Sequence, residues 1–496
     1  MATSQAPAAA TPPAAPRRLG PAVLAVAIGA IAAGAIAVWQ PLLGLGAAVV
    51  LLGATLLRGV PVQRLAPLLV VLTALAAIAG PNLAAPPAPG VFLFRILIVL
   101  LGLGLVGYLL MDGGLALPAG LPRPAGILAV WFLWSVLSLG WADDELAALR
   151  WTSFLAMMMA LAIAIAIICR DRRRAKILLW SLLGAFILAC LIALAEVATG
   201  HHLPTFRQGR EGRTGLIGVG SLFGNQNNFA VFLSLALPYL AVLPVVYRDA
   251  RLRLVGIAGS AAALLLILAT GSKSGLLAAG LVILGLLLLV GTDRRERGRL
   301  IVAGAIAALA VVLVFTAIGG AGPVKLDNRT VTKLNFGLLA DQLQTQQGSG
   351  GVRASLLDDG LHLVADTNGL GVGAGNAETH VRSLADFPGV ANLHDWWLEV
   401  LVDGGVVGFA LYLLFYLTLL RRQTRAARRT TDPLVRYMCL AGTLSLVGWV
   451  IGSIGPSTAI HFAPMWIVFG LGMGALVLAT REAQAARDAE APPSGS

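Results

Sequence analysis

Apolar residues fill the chain in blocks of about 20, the length that crosses a bilayer as a helix, and most of the charge falls in the short segments between them. The blocks predict fourteen spans, at 21–39, 41–57, 66–80, 91–111, 124–140, 151–169, 177–198, 225–247, 254–270, 275–291, 300–318, 400–420, 436–454 and 462–479. The first two, flanking Pro41, also read as a re-entrant element, which makes the expected range 12–14 helices. The fold class is therefore an all-α polytopic membrane protein. Its expected parts are an unstructured cytoplasmic N-terminus (1–20), the first eleven helices (21–318), a large external loop with short helices (319–399), three further helices (400–480) and an unstructured cytoplasmic tail (481–496).

Composition agrees, with 58% hydrophobic residues, 12% charged residues and a mean hydropathy of +0.84. The net charge of +12 invites a nucleic-acid reading, but the basic residues follow the spans. With both termini inside, the cytoplasmic segments collect "RDRRRAK" at 170–176, "RDARLR" at 248–253, "RRERGR" at 294–299 and "RRQTRAARR" at 421–429. Topology and membrane lipid account for that excess, and no nucleic-acid role follows. Arg17 and Arg18 precede a first span with no small-residue cleavage site behind it, so that span is expected to stay as an anchor. Cys169, Cys190 and Cys439 lie in spans or at their ends and read as packing residues.

The remaining polar residues gather on the opposite, outer side. They include Arg95, Arg150, Glu196, Arg207, Arg210, Arg213, Lys273, Arg353, Arg382 and all six histidines. Singly, each has a plain explanation, such as snorkelling for Arg150, local pairing for Glu196 or an interfacial belt for Trp396 and Trp397. As a set they point to an outer site for an anionic ligand. In "REGRTGLIGVGSLFGNQNNFA" an Arg- and Gly-rich loop enters an amide cluster, where Asn225 and Asn228 can cap the following helix beside Arg210 and Arg213. "TGSKSG" presents Lys273 on a tight turn. "VRASLLDDGLHLVADTNGLGVGAGNAE" starts an amphipathic stretch at Arg353 and ends in a glycine-rich turn that lacks the lysine of a phosphate-binding P-loop, so no nucleotide site is expected there. "LHDWWLEVLVDGGVVGFALYL" places His394, Asp395, Glu399 and Asp403 where the loop re-enters the membrane, and Gly404, Gly405 and Gly408 read as close helix contacts.

In their order, these motifs resemble the bacterial O-antigen ligase and polymerase superfamily over most of the chain. Two departures stand out: Asp395 follows the histidine where an amide is more usual, and Lys273 replaces an arginine. The resemblance implies a GT-C-like glycosyltransferase in the cytoplasmic (inner) membrane with its active site facing the periplasm or exterior. It implies transfer of a glycan from a polyprenyl (undecaprenyl) diphosphate carrier to a glycan or glycolipid hydroxyl, metal-independent and inverting, with no cofactor. On this reading His394 is the base, and Arg213, Arg353 and Lys273 hold the diphosphate. Arg150, Arg210, Asn225, Asn228, Asp395 and Glu399 support them. "DDE" at 143–145 reads as a helix cap in preference to a metal site. A repeat-unit polymerase is the nearest alternative, followed by a protein O-oligosaccharyltransferase and a lipid-linked glycan flippase. The last is opposed by the lack of an inverted repeat or matched broken helices.

Overall fold

The computed structural model describes residues 62–84, 92–111, 122–205, 218–290, 348–384, 392–456 and 459–490. Their α-helices are α1 (Val62–Ala79), α2 (Leu93–Met111), α3 (Arg123–Leu137), α4 (Glu145–Ile168), α5 (Arg172–Thr199), α6 (Gln226–Ala241), a single turn α7 (Leu243–Val246), α8 (Ala250–Thr270), α9 (Lys273–Val290), α10 (Gly348–Asp366), α11 (Ala377–Leu384), α12 (Trp396–Arg429), α13 (Pro433–Gly452) and α14 (Ala463–Glu490). The chain divides into two units, residues 1–59 with 104–116 and residues 60–103 with 117–496. Of the first, the described part is residues 104–111, the end of α2. The second holds the rest.

Among the described residues nine helices are long and apolar enough to cross a membrane, and Leu93–Gly104 and Lys273–Leu289 are shorter apolar helices. They match the expected spans wherever residues are described; the expected spans 21–39, 41–57 and 300–318, and the N-terminus 1–20, lie outside. The chain is a multi-pass, all-helical membrane protein. Two expected boundaries need correction. α12 begins at Trp396 and runs to Arg429, beyond the expected 400–420, because its basic last turns stay helical past the apolar stretch. α14 likewise continues to Glu490, so the segment expected to be an unstructured tail starts as exposed helix.

A short polar side chain starts helix after helix. Asp144 accepts from Ala147 N, Asp171 from Arg173 and Arg174 N, Asn225 from Asn227 N, Asp249 from Arg251 and Leu252 N, Asp395 from Trp397 and Leu398 N, and Asp432 from Leu434 and Val435 N. Each fills amide donors that the first turn leaves open. Asp144 is thus a cap, as "DDE" led one to expect.

The two ends of the bundle are chemically distinct. At the basic end Arg172 pairs with Asp432, Arg481 Nη1 donates to the Arg170 carbonyl at 3.0 Å, and Glu482 accepts from Thr430, which ties α5, the α12–α13 turn and α14 together. The opposite end carries the loop helices α10 and α11 and the polar motifs.

At that loop end α12 breaks. Gly405 has φ 65° and ψ −170°, outside the helical range, inside an otherwise helical run. The break frees carbonyls, and the glycine-rich turn enters it: Val372 N donates to Val402 O at 2.9 Å, Gly373 N to Asp403 O at 3.1 Å, and Val406 N to Gly369 O at 2.9 Å. The fit excludes side chains on both partners. A Cβ on Gly405 would lie 2.2 Å from the Leu370 carbonyl oxygen, and one on Gly371 would lie 2.4 Å from Gly405 N. Gly405 therefore admits a loop where the sequence suggested a neighbouring helix. Gly408 does meet a helix, since its Cβ position is 3.0 Å from the Trp134 ring on α3. The buried Asp403 carboxyl completes the joint by accepting from Ala377 N at 2.8 Å, with Gly375 and Asn376 N beside it at the N-terminus of α11.

Two outcomes follow. Asp403→Ala strips acceptors from buried amides, a loss of roughly 1–3 kcal/mol for each group left unpaired, so its melting temperature in detergent drops clearly below that of Asp403→Asn; equal melting temperatures would refute the anchoring role. For orientation, Asp358 is exposed on α10, Arg428 is exposed on α12 and the native cysteines are buried. A membrane-impermeant maleimide on intact cells therefore labels Asp358→Cys and spares Arg428→Cys until the membrane is opened. The reverse pattern would invert the topology.

Candidate functional site

Arg353 reaches the membrane re-entry point because α10 is amphipathic. Leu356, Gly360 and Leu363 follow Arg353 at helical spacing on one face, and that face packs against Leu393, Leu398 and Val402. Gly360 permits the contact, its Cβ position being 3.0 Å from Leu398. Arg353 is thereby held over the start of α12, within electrostatic reach of both Asp395 and His394.

His394 sits in the left-handed region, with φ 53°. Its neighbours fix it there: Leu393 is buried against α10, Asp395 caps α12, and Trp396 N reaches the Ser453 carbonyl at 3.5 Å. Trp396 is fully buried, with its ring 6.4 Å from Trp131 and 5.8 Å from Tyr412, so it anchors the helix start and is no interfacial residue. Trp397 donates from Nε1 to Val450 O at 3.0 Å. Left-handed non-glycine residues are costly, and the other two among the described residues, Ser221 and Asn368, lie in the motif before α6 and in the glycine-rich turn. All three strained positions fall in segments that build this end of the molecule.

Electrostatics follow from this packing. Burial and then the Arg353 charge lower the His394 imidazole to about 4, so it is neutral at ordinary pH. Burial raises the Asp395 carboxyl, against the pull of its two capped amides and of Arg353. Burial also lowers the Arg353 guanidinium, with Asp395 acting the other way. Glu399 is buried one turn further on, with Oε1 unpartnered among the described residues and Asp395, Asp403 and Glu378 in its field.

Lys273 arrives by a second route. It is half-buried on the first turn of α9 between the buried Ser272 and Ser274, and Gly275 presses on α6 with its Cβ position 2.6 Å from Ala230 Cβ. Ser274 Oγ also lies 3.1 Å from the Cβ position of Gly455. The 453–456 turn after α13 therefore touches the start of α12 on one side and the Lys273 turn on the other. Sequence reading passed over this turn, although its Gly-Pro pair marks a helix end.

Asn225 caps α6 as expected, while Gln226 Oε1 and Asn228 Oδ1 are enclosed without hydrogen-bond partners among the described residues. The loop before α6 is held by Glu196, whose Oε2 accepts from Gly220 N at 3.0 Å and Ser221 N at 2.9 Å, with His202 Nδ1 3.5 Å from Oε1. Glu196 thus pairs locally. Arg210 and Arg213 lie outside the described residues. Arg150 is exposed on α4, beside Trp151.

The glycine-rich turn uses its polar groups within the protein. Asn376 is fully buried, with Oδ1 accepting from Asp144 N at 2.7 Å and Nδ2 donating to Asp144 O at 3.2 Å. Ala374 N donates to Ser138 Oγ at 3.0 Å, and His380 Nε2 lies 3.1 Å from Asp143 Oδ2. The turn therefore clamps α12 to the α3–α4 corner.

Residues 258–413 match the family model of the O-antigen ligase, a stretch that contains Lys273, Arg353, His394, Glu399 and Asp403. The chain is also 27% identical over 364 residues to the teichuronic acid biosynthesis protein TuaE of Bacillus subtilis (strain 168), covering 72% of each protein. The family-model match runs through α8 to the first half of α12, the stretch that includes His394, and by both comparisons the chain is similar to O-antigen ligase and polymerase-type proteins of polysaccharide biosynthesis.

Proposed function

We propose that the protein moves a glycan from a polyprenyl diphosphate carrier to an acceptor hydroxyl at the outer face of the cytoplasmic membrane, as an O-antigen ligase does. The observation that supports this is that Arg353 lies within electrostatic reach of His394 and Asp395, beside the start of α12. A lipid-borne donor and a water-borne acceptor meet only at such a boundary. Arg353, with its planar fork, binds diphosphate oxygens, and Lys273 adds a point charge from the other side of the 453–456 turn. Arg213, which lies outside the described residues, is assigned a third cationic role on sequence grounds alone.

The acceptor oxygen attacks the anomeric carbon from the side opposite the diphosphate. Its proton passes to the neutral His394, the bond from the anomeric carbon to the diphosphate oxygen breaks, and the cations take up the departing charge. One displacement inverts the anomeric centre. A growing glycan in place of a finished acceptor turns the same chemistry into a repeat-unit polymerase. That second reading draws support from the relative's role, by its name, in teichuronic acid biosynthesis.

Liposomes carrying the purified protein, a polyprenyl diphosphate glycan and candidate acceptors provide the assay, and absence of any glycosylated product would refute both readings. In it, Arg353→Ala lowers kcat/KM by roughly 10²-fold and Arg353→Lys restores part of the loss, while membrane insertion is unchanged. Full turnover by Arg353→Ala would make this arginine a bystander.

His394→Gln folds, binds donor and loses roughly 10²–10⁴-fold in transfer. A base must be neutral to act, so activity falls as pH drops through its pKa. In the free enzyme that pKa is about 4, and the acid limb of kcat/KM accordingly lies well below the usual imidazole range. Bound diphosphate screens Arg353 and raises the imidazole, which shifts the acid limb of kcat to higher pH. Stable His394→Gln protein with unimpaired transfer would remove His394 from the mechanism.

A further inference from the structure

Away from His394, a cavity of about 290 Å³ runs between α5, α6, α8, α13 and α14. Its wall on α5 comprises Lys176, Leu179, Trp180, Leu182, Leu183 and Phe186, which extend over roughly 15 Å at the helical rise per residue. Lys176 is the one charged residue among the lining residues described, and every other side chain is apolar or aromatic. The cation is not centred. It stands one turn inside the start of α5, at the basic end of the bundle, level with Tyr247 at the end of α7 and Leu434 in the first turn of α13. The groove opens sideways toward the surface that faces lipid, since Trp180 on its rim is 55% exposed.

We propose that this groove is a binding site for an anionic phospholipid of the cytoplasmic leaflet, with one acyl chain lying along the α5 wall and the phosphate at Lys176. The polarity of the site selects this occupant. A phospholipid of that leaflet brings a flexible apolar chain and a negative headgroup in the same order as the groove presents apolar wall and cation. A zwitterionic phospholipid brings the same phosphate but a compensating ammonium beside it, so its net attraction to Lys176 is weaker. An isoprenoid donor entering from the loop end carries its diphosphate at the opposite end from Lys176, an exclusion that rests on the function proposed above. Lys176 belongs to no part of the glycosyl-transfer site, and the exposed position of its side chain makes its replacement harmless to folding.

The test is lipid retention. Purified, delipidated full-length protein is placed in nanodiscs of phosphatidylcholine, phosphatidylglycerol or their mixture, and retained lipid is counted by native mass spectrometry, with polyprenyl phosphate as competitor. Wild-type protein retains phosphatidylglycerol over phosphatidylcholine by about fivefold, the ratio that one basic group near a lipid surface supplies. Lys176→Glu abolishes the preference at unchanged melting temperature. Ala236→Trp, which fills the groove, loses retention of both phospholipids. Equal retention of the two phospholipids by wild type, an unchanged preference in Lys176→Glu, or displacement by polyprenyl phosphate ahead of phosphatidylglycerol would each overturn the proposal. None of these readouts depends on glycosyl transfer.

Discussion

The loop end of the molecule depends on what happens to the carbonyls of Val402 and Asp403 once α12 breaks at Gly405. Inside a membrane-spanning helix an unpaired carbonyl costs several kcal/mol, and water at that depth is scarce. Here the glycine-rich turn supplies Val372 and Gly373 N–H groups to those carbonyls, and Gly369 returns a carbonyl to Val406 N. The turn can approach this closely only because neither Gly371 nor Gly405 has a side chain. One exchange of hydrogen bonds thus fastens the large loop to the membrane helix. It sets the register of α10 and α11 against α12, and hence brings Arg353 within electrostatic reach of His394.

The break also redistributes roles among the carboxyls. Asp403 is spent on the amides before α11, Asp144 and Asn376 are locked together at the α3–α4 corner, and Glu196 holds the loop ahead of α6. Two outer loops are therefore pinned by the same device, a buried carboxyl facing consecutive backbone N–H groups. That arrangement leaves the cations Arg353 and Lys273 uncommitted to those anchors.

Local rules made part of this legible. Span positions followed from apolar length, Asn225 and Asp144 from capping chemistry, and an amphipathic stretch starting at Arg353 from its pattern. The Gly405 break was not legible, because a glycine pair in an apolar helix reads equally well as a helix contact, and the partner that decides between the two lies more than 30 residues away at Gly369–Gly373. The 453–456 turn stayed hidden for a related reason. Its role is to touch Trp396 on one side and Ser274 on the other, and no periodicity in the chain encodes a contact between three distant segments. α12 and α14 were drawn too short because hydropathy marks where a helix leaves the membrane, while helix propensity in "RRQTRAARR" and "REAQAARDAE" carries the hydrogen-bonded turns onward.

On the function proposed above, a cationic site for a diphosphate works against its own base. Arg353 close enough to steady phosphate oxygens is close enough to disfavour a second positive charge on His394, and burial adds to that penalty. The result is an imidazole that is reliably neutral but weakly basic while the site is empty. An anionic donor reverses the local field, since each negative oxygen placed against Arg353 cancels part of the charge that His394 feels. Donor binding and base strength are then coupled through one guanidinium. On that proposal the acceptor is activated most strongly when a diphosphate is already in place, and a stray hydroxyl or water meeting the unloaded site faces a poor base. Asp395 fits the same logic. As the helix cap beside the histidine, it fixes the α12 start with a carboxyl that burial pushes upward against the pull of its two capped amides and Arg353.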